Sequence, residues 1–205
     1  MKRANQRKTA GRVRIGTSGW TYNAWRGPFY PERVPKRQWL RYYATRFSTT
    51  EINGSFYRTP TLEAVRAWRN DTPKDFGFAW KASKFITHWK RLTEKCENSI
   101  ALMETRLMAL APKTCAVLFQ LPPHFSKDCA RLDAFLGMLP RRHRYAFEFR
   151  HKSWYGDDIL DLLHEHDVAL CLSDPAMRPR LGRSPPVMST CAGTDPAGAI
   201  AEVIR

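Results

Sequence analysis

Three carboxylates, Glu51, Glu148 and Asp174, each stand where an apolar, strand-like segment gives way to a polar turn. Lys81, Gln120 and Arg150 occupy equivalent places. Gathered at one point, such side chains could move protons. A carboxylate would serve as general base, a cation would stabilise developing negative charge, and an amide would orient the reactant. Glu51 and Glu148 are the acid–base candidates, with Lys81 and Arg150 as charge stabilisers, Asn53 and Gln120 as orienters, and Asp174 completing the catalytic set. The same groups could equally form an internal salt-bridge and hydrogen-bond network, since buried charge persists only when paired.

Side chains suited to holding a ligand surround these positions. Trp20, Tyr22, Trp25, Phe29 and Tyr30 crowd one loop, and Phe56, Tyr57 and Trp154 sit on others. Some must pack the loops together; the remainder could stack on a ring-shaped ligand, a sugar or a base. Arg26, Arg58 and Lys84 suit phosphate or carboxylate groups. His88 and His151 follow two of the strand-like segments, where they could orient a ligand or contact phosphate. With the carboxylates they could also ligate a metal, but no ligand-spaced motif such as HExxH supports this, and no metal or other cofactor is assigned. The expected ligand-binding set is Trp20, Asn53, Tyr57, Arg58, His88, Gln120, Arg150, His151 and Trp154.

The elements that must position these residues recur with room for a helix between them. Strands are expected near 12–17, 48–53, 76–82, 115–121, 144–150 and 168–173. Helices fit at 38–47, 62–68, 99–110, 130–139 and 157–166, the third stopped by Pro112. Strict β–α alternation without hairpin signals implies a parallel sheet. The missing GxGxxG after the first strand argues against a dinucleotide fold. Polar residues at inward positions of nearly every strand favour a (β/α) barrel with its site at the C-terminal strand ends. In Phe147-Glu148-Phe149-Arg150 the period of two sends Phe147 and Phe149 to the helices and Glu148 and Arg150 inward; by the same rule Glu51 and Asn53 share a face.

A chain of 205 residues, 43% hydrophobic and 12% aromatic, can bury one sizeable core. No apolar run reaches the roughly 20 residues of a membrane helix. The basic start, 1–12, lacks the apolar centre of a secretory signal and reads as a flexible arm, so a cytoplasmic protein with no membrane association is expected. The five cysteines are scattered without a CxxC pair. A net charge of +15 favours polyanions. Without an RNA-binding sheet pattern or helix-turn-helix, general surface basicity and non-specific nucleic-acid binding are the expectation.

Five blocks, GTSGWTYNAWRGPFYP at 16–31, TEINGSFYR at 50–58, WKASKFITH at 80–88, LFQLPP at 118–123 and FEFRHKSWY at 147–155, resemble the domain of unknown function 72 family, the YecE-like proteins. The resemblance spans most of 13–174 and implies a TIM-like barrel, without naming an activity. It also implies two further strands, one carrying a motif like YVRxHG, that residues 175–205 do not show. The stretch 188–196 can be encoded so that a shifted frame reads Val-Tyr-Val-Arg-Trp-His-Gly-Pro. A frame change between Pro175 and Val187 is therefore expected, giving a barrel with about six of eight strands. The tail holds no run of β-branched or aromatic residues able to replace the other two, so both sheet edges should be left unpaired.

The expected function is an enzyme-type scaffold that binds a small polar or phosphorylated ligand at the C-terminal barrel face. A basic nucleic-acid-interacting protein and a non-functional truncated copy are the alternatives.

Overall fold

The computed structural model describes residues 12–173, 187–189 and 199–204. Six strands run parallel in chain order: β1 (Arg12–Ser18), β2 (Thr49–Ile52), β3 (Gly77–Lys81), β4 (Thr114–Gln120), β5 (Tyr145–Glu148) and β6 (Ala169–Leu172). Between them lie α1 (Trp39–Tyr43), α2 (Leu62–Asn70), α3 (Glu97–Leu110), α4 (Cys129–Gly137) and α5 (Asp157–Glu165). Each strand pairs with the next, so sheet order follows chain order. The result is a curled half-barrel of TIM-like α/β type.

Strand periodicity divides the side chains between two faces. Ile52, Phe78, Trp80, Val117, Phe119, Phe147 and Leu170 join the helices in the main core. Ala116, Leu118, Ala146 and Cys171 form a smaller cluster on the other, inner face. At Gly16 a Cβ would lie 2.0 Å from the Thr49 carbonyl oxygen, so β1 can approach β2 this closely only with glycine.

Local chemistry starts and stops the helices. Thr61 caps α2 by accepting from the Ala64 amide at 3.2 Å, and Asp128 caps α4 by accepting from Arg131 N at 3.0 Å. Asp157 and Asp158 place negative charge in the first turn of α5. α3 buries Ile100, Met103, Leu107 and Leu110, one stripe at helical spacing; Leu102 falls off that stripe and is 43% exposed. α1 is only five residues long, shorter than the periodicity of 38–47 predicts. Thr45 Oγ1 donates to the Tyr42 carbonyl at 2.7 Å, and the chain turns instead of continuing as helix.

The tail departs from expectation. β7 (Val187–Ser189) pairs parallel with β6, and β8 (Ala199–Ile204) pairs antiparallel with β1 from Arg12↔Ile204 to Thr17↔Ala199. Both edges of the six-stranded core thus gain a partner, because an open edge is a template even for a short segment. Ile200, Val203 and Ile204 supply the β-branched residues that the tail was expected to lack. Residues 175–186, over which the frame change was expected, lie outside the described residues, as does most of the N-terminal arm. Among the described residues no helix is long and apolar enough to cross a membrane.

Candidate functional site at the strand ends

Strand register sets the first contacts. Ser18 lies opposite Glu51 and Gln120 opposite Glu148. The Ser18 hydroxyl donates to Glu51 Oε1 at 2.6 Å, and Lys81 Nζ stands 3.7 Å from the same oxygen. Both partners fall on Oε1; among the described residues no hydrogen bond or ion pair falls on Oε2. Gln120 Nε2 donates to Glu148 Oε2 at 2.7 Å and Arg150 Nε to Oε1 at 3.0 Å, so both Glu148 oxygens are engaged. The two carboxylates are buried, at 4% and 3% exposure, and each has a cation beside it, as burial demands.

The loops lock this arrangement. Ser55 Oγ lies 2.5 Å from the Ile52 carbonyl oxygen and 2.6 Å from that of Lys81, tying the end of β2 to the end of β3. The Tyr22 hydroxyl donates to the Ser18 carbonyl. Burial raises the pKa of this phenol, and the nearby Glu51 carboxylate and Tyr57 add to the effect.

Cations outnumber carboxylates toward solvent. Arg150 is half-exposed, and Lys81 Nζ sits 5.3 Å from the Phe56 ring centroid. The Phe56 ring meets His88 edge-on at 5.1 Å, and His88 Nδ1 lies 2.9 Å from Thr87 Oγ1. Burial lowers the His88 pKa below the ordinary 6.5, and Arg150, His124, Lys81 and Lys84 lower it further. Burial and the neighbouring Arg150, Lys81 and Lys84 thus favour the neutral imidazole of His88.

The structure thus brings Glu51, Lys81, Gln120, Glu148, Arg150 and His88 to one end of the sheet. Other candidates lie elsewhere. Trp20 and Asn53 line a separate cleft of about 360 Å³ beside α1 and α2. Trp154 is 1% exposed, stacked on Phe149 at 4.8 Å, and donates from Nε1 to the Phe125 carbonyl, so it packs the loops rather than facing a ligand. His151 Nδ1 accepts from the Ser153 amide and caps the short turn Lys152–Trp154. Tyr57 and Arg58 are exposed at the rim. Asp174 lies outside the described residues. Among the described residues, no three His, Cys, Asp or Glu side chains come together as a potential metal site.

Sequence reasoning did not single out Ser18, Ser55, His124 or Trp89. Ser18 and Ser55 lie inside conspicuous motifs, but their partners follow from register and could not be read from spacing. In the first loop most aromatics are structural. Tyr30 is fully buried, stacked on Trp39 at 4.4 Å, and its hydroxyl donates to the Trp20 carbonyl at 2.7 Å.

Comparison with known proteins places the chain in a family. The family described as Protein of unknown function DUF72 matches residues 14–197. The UPF0759 protein YecE of Escherichia coli K12 is 33% identical over 141 residues, which is 66% of this chain and 52% of that protein. The chain therefore spans about half the length of the curated relatives it matches. A crystal structure of a DUF72 family protein from Thermotoga maritima MSB8 superposes with a TM-score of 0.68 at 27% identity, covering 82% of this chain and 65% of that one. A second, from Enterococcus faecalis V583, gives 0.58 at 24% identity over 66% of this chain and 58% of its own, and supports the fold alone. With a family match over residues 14–197 and a relative 33% identical over 141 residues, the chain belongs to the DUF72 family.

Proposed function

We propose that the strand ends bind a small polar or phosphorylated ligand and that Glu51 exchanges a proton with it. The observation that carries this reading is the imbalance of charge. Glu51 and Glu148 are buried and each is already partnered by Lys81 or Arg150, while Lys84 adds a further cation close to His88. An anion entering there would meet preoriented cations in a partly dry site, where such contacts are strong. Glu148, with both oxygens engaged, acts as a positioning residue that holds Arg150 and Gln120. Glu51, with Oε2 available, is the group able to take or give a proton.

Titration calorimetry with inorganic pyrophosphate tests the reading. Arg150→Ala and Lys81→Met are expected to weaken binding about tenfold or more, the scale of one charge-assisted hydrogen bond. Glu51→Gln, which removes negative charge from the mouth, is expected to tighten it. Thermal melts of each variant separate loss of binding from loss of fold. Unchanged affinity in both cation variants would place the anion elsewhere on the basic surface and overturn the reading.

A further inference from the structure

Beside the strand ends is a second feature that anion binding does not account for. Tyr57 and Trp89 are each 66% exposed, large aromatic rings turned to water. Lys84 Nζ lies between them in reach of both, 5.5 Å from the Tyr57 ring centroid and 5.3 Å from that of Trp89. Trp89 is backed edge-on by Phe85 at 5.7 Å, and Lys90 Nζ stands 5.3 Å from the Phe85 ring. Two exposed rings sharing one ammonium form a cation–aromatic surface rather than scattered apolar residues.

The segment is built to hold this surface outward. Phe85–Trp89 form a π-helical turn, an uncommon geometry that sites often use. Its middle residues, Ile86 and Thr87, are buried and anchor it. The Leu92 amide donates back to the Ile86 carbonyl at 3.2 Å. Arg91 and Leu92 follow with φ of 47° and 62°, so two successive non-glycine residues are held in the left-handed region, and Leu92 is buried. That backbone turn leaves Trp89 at the surface instead of folding it into the core.

The charge around the rings has one sign. Between Asp75 and Glu94 the chain carries Lys81, Lys84, Lys90 and Arg91 and no carboxylate, and Arg58 follows Tyr57 directly. The whole chain carries +15. Aromatic faces interleaved with cations complement a flexible polyanion whose bases are free to stack. A duplex hides its bases, and a polymer of acidic residues alone offers no rings.

We infer that Tyr57, Lys84 and Trp89 form a stacking platform for single-stranded nucleic acid, its bases on the two rings and its phosphates on Lys84 and neighbouring cations. The platform lies at the rim of the strand-end mouth and goes beyond the anion reading, since it would bind a strand whether or not the mouth takes a phosphate. Base stacking on an aromatic side chain tolerates any sequence, so affinity should depend on strandedness more than on base identity.

The test is fluorescence anisotropy with labelled 12-nucleotide oligothymidylate and oligouridylate, a 12-base-pair duplex, and polyglutamate, at two or more salt concentrations. Both single strands are expected to bind more tightly than the duplex. Trp89→Ala and Tyr57→Ala are each expected to cost about fivefold or more in affinity with little change in salt dependence. Lys84→Met should lower the salt slope by about one. Both rings are exposed, so these variants keep the fold, which circular dichroism checks. Single-strand affinities unchanged in Trp89→Ala and Tyr57→Ala would overturn the inference, as would equal binding of the duplex or of polyglutamate. Loss of pyrophosphate binding in Arg150→Ala with Trp89-dependent binding of the strand intact separates the two proposals; the reverse pattern removes the platform and leaves the mouth.

Discussion

At the scale of single residues, the two buried carboxylates at the strand ends are unequally satisfied. Glu148 spends both oxygens on Gln120 and Arg150, while the contacts of Glu51 converge on one. In the proposed reading this difference, and not the mere presence of acidic residues, separates a positioning role for Glu148 from a proton-exchanging one for Glu51. His88 carries the sharpest electrostatic consequence. Its pKa in the folded chain lies below the ordinary 6.5, chiefly through burial and then through the cations facing it. The unfolded chain therefore takes up this proton first as pH falls. Stability is held above 6.5 and is lost progressively as pH drops from 6.5 through the lower folded value. His88→Gln should flatten that part of the profile, so urea melts at pH 5 and pH 8 should differ less in the variant than in the wild type. An equal difference in both proteins would assign the acid sensitivity to other groups.

At the scale of elements, capping defines where helices begin, and α4 offers a direct check. Asp128→Ala removes the side chain that accepts from Arg131 N and should lower stability by about 1 kcal/mol, read from the midpoint of chemical denaturation. A change within a few tenths would show that packing alone sets this helix start. The six parallel strands were legible in the sequence because each is an apolar run that ends in a polar residue. The five helices were legible from their spacing. Less could be seen where a distant partner decides the outcome. β8 reads as a weak segment and becomes a strand only because the edge of β1 is open beside it. Trp154 looked like a ligand platform until its stack on Phe149 and its bond to the Phe125 carbonyl took it into the core. The turn that exposes Trp89 depends on two left-handed residues that no hydrophobic pattern announces. In the site, Glu51, Lys81, Gln120, Glu148 and Arg150 were visible as strand-end residues, whereas the Ser18 bond to Glu51 needed the register of β1 against β2.

At the scale of the whole molecule, a curled parallel sheet depends on what covers its edges. β7 and β8 pair with the outermost strands β6 and β1 and approach each other across the remaining gap. Deleting residues 187–205 should unpair both edges and produce concentration-dependent association, measured by light scattering. A monodisperse deletion variant as stable as the full chain would show that these strands contribute nothing to edge protection. The charge of the molecule has a similar logic. A net +15 draws anions from a distance, and in the proposed reading they are held at the strand ends, where Lys81 and Arg150 stand beside the buried carboxylates of Glu51 and Glu148. The most direct test of that claim is NMR titration of the His88 imidazole, assigned by comparison with His88→Gln, without and with saturating pyrophosphate. An anion held among Lys81, Lys84 and Arg150 should offset the positive field and raise the His88 pKa. A pKa that stays where it was, with pyrophosphate bound, would put the anion outside the mouth and contradict the account.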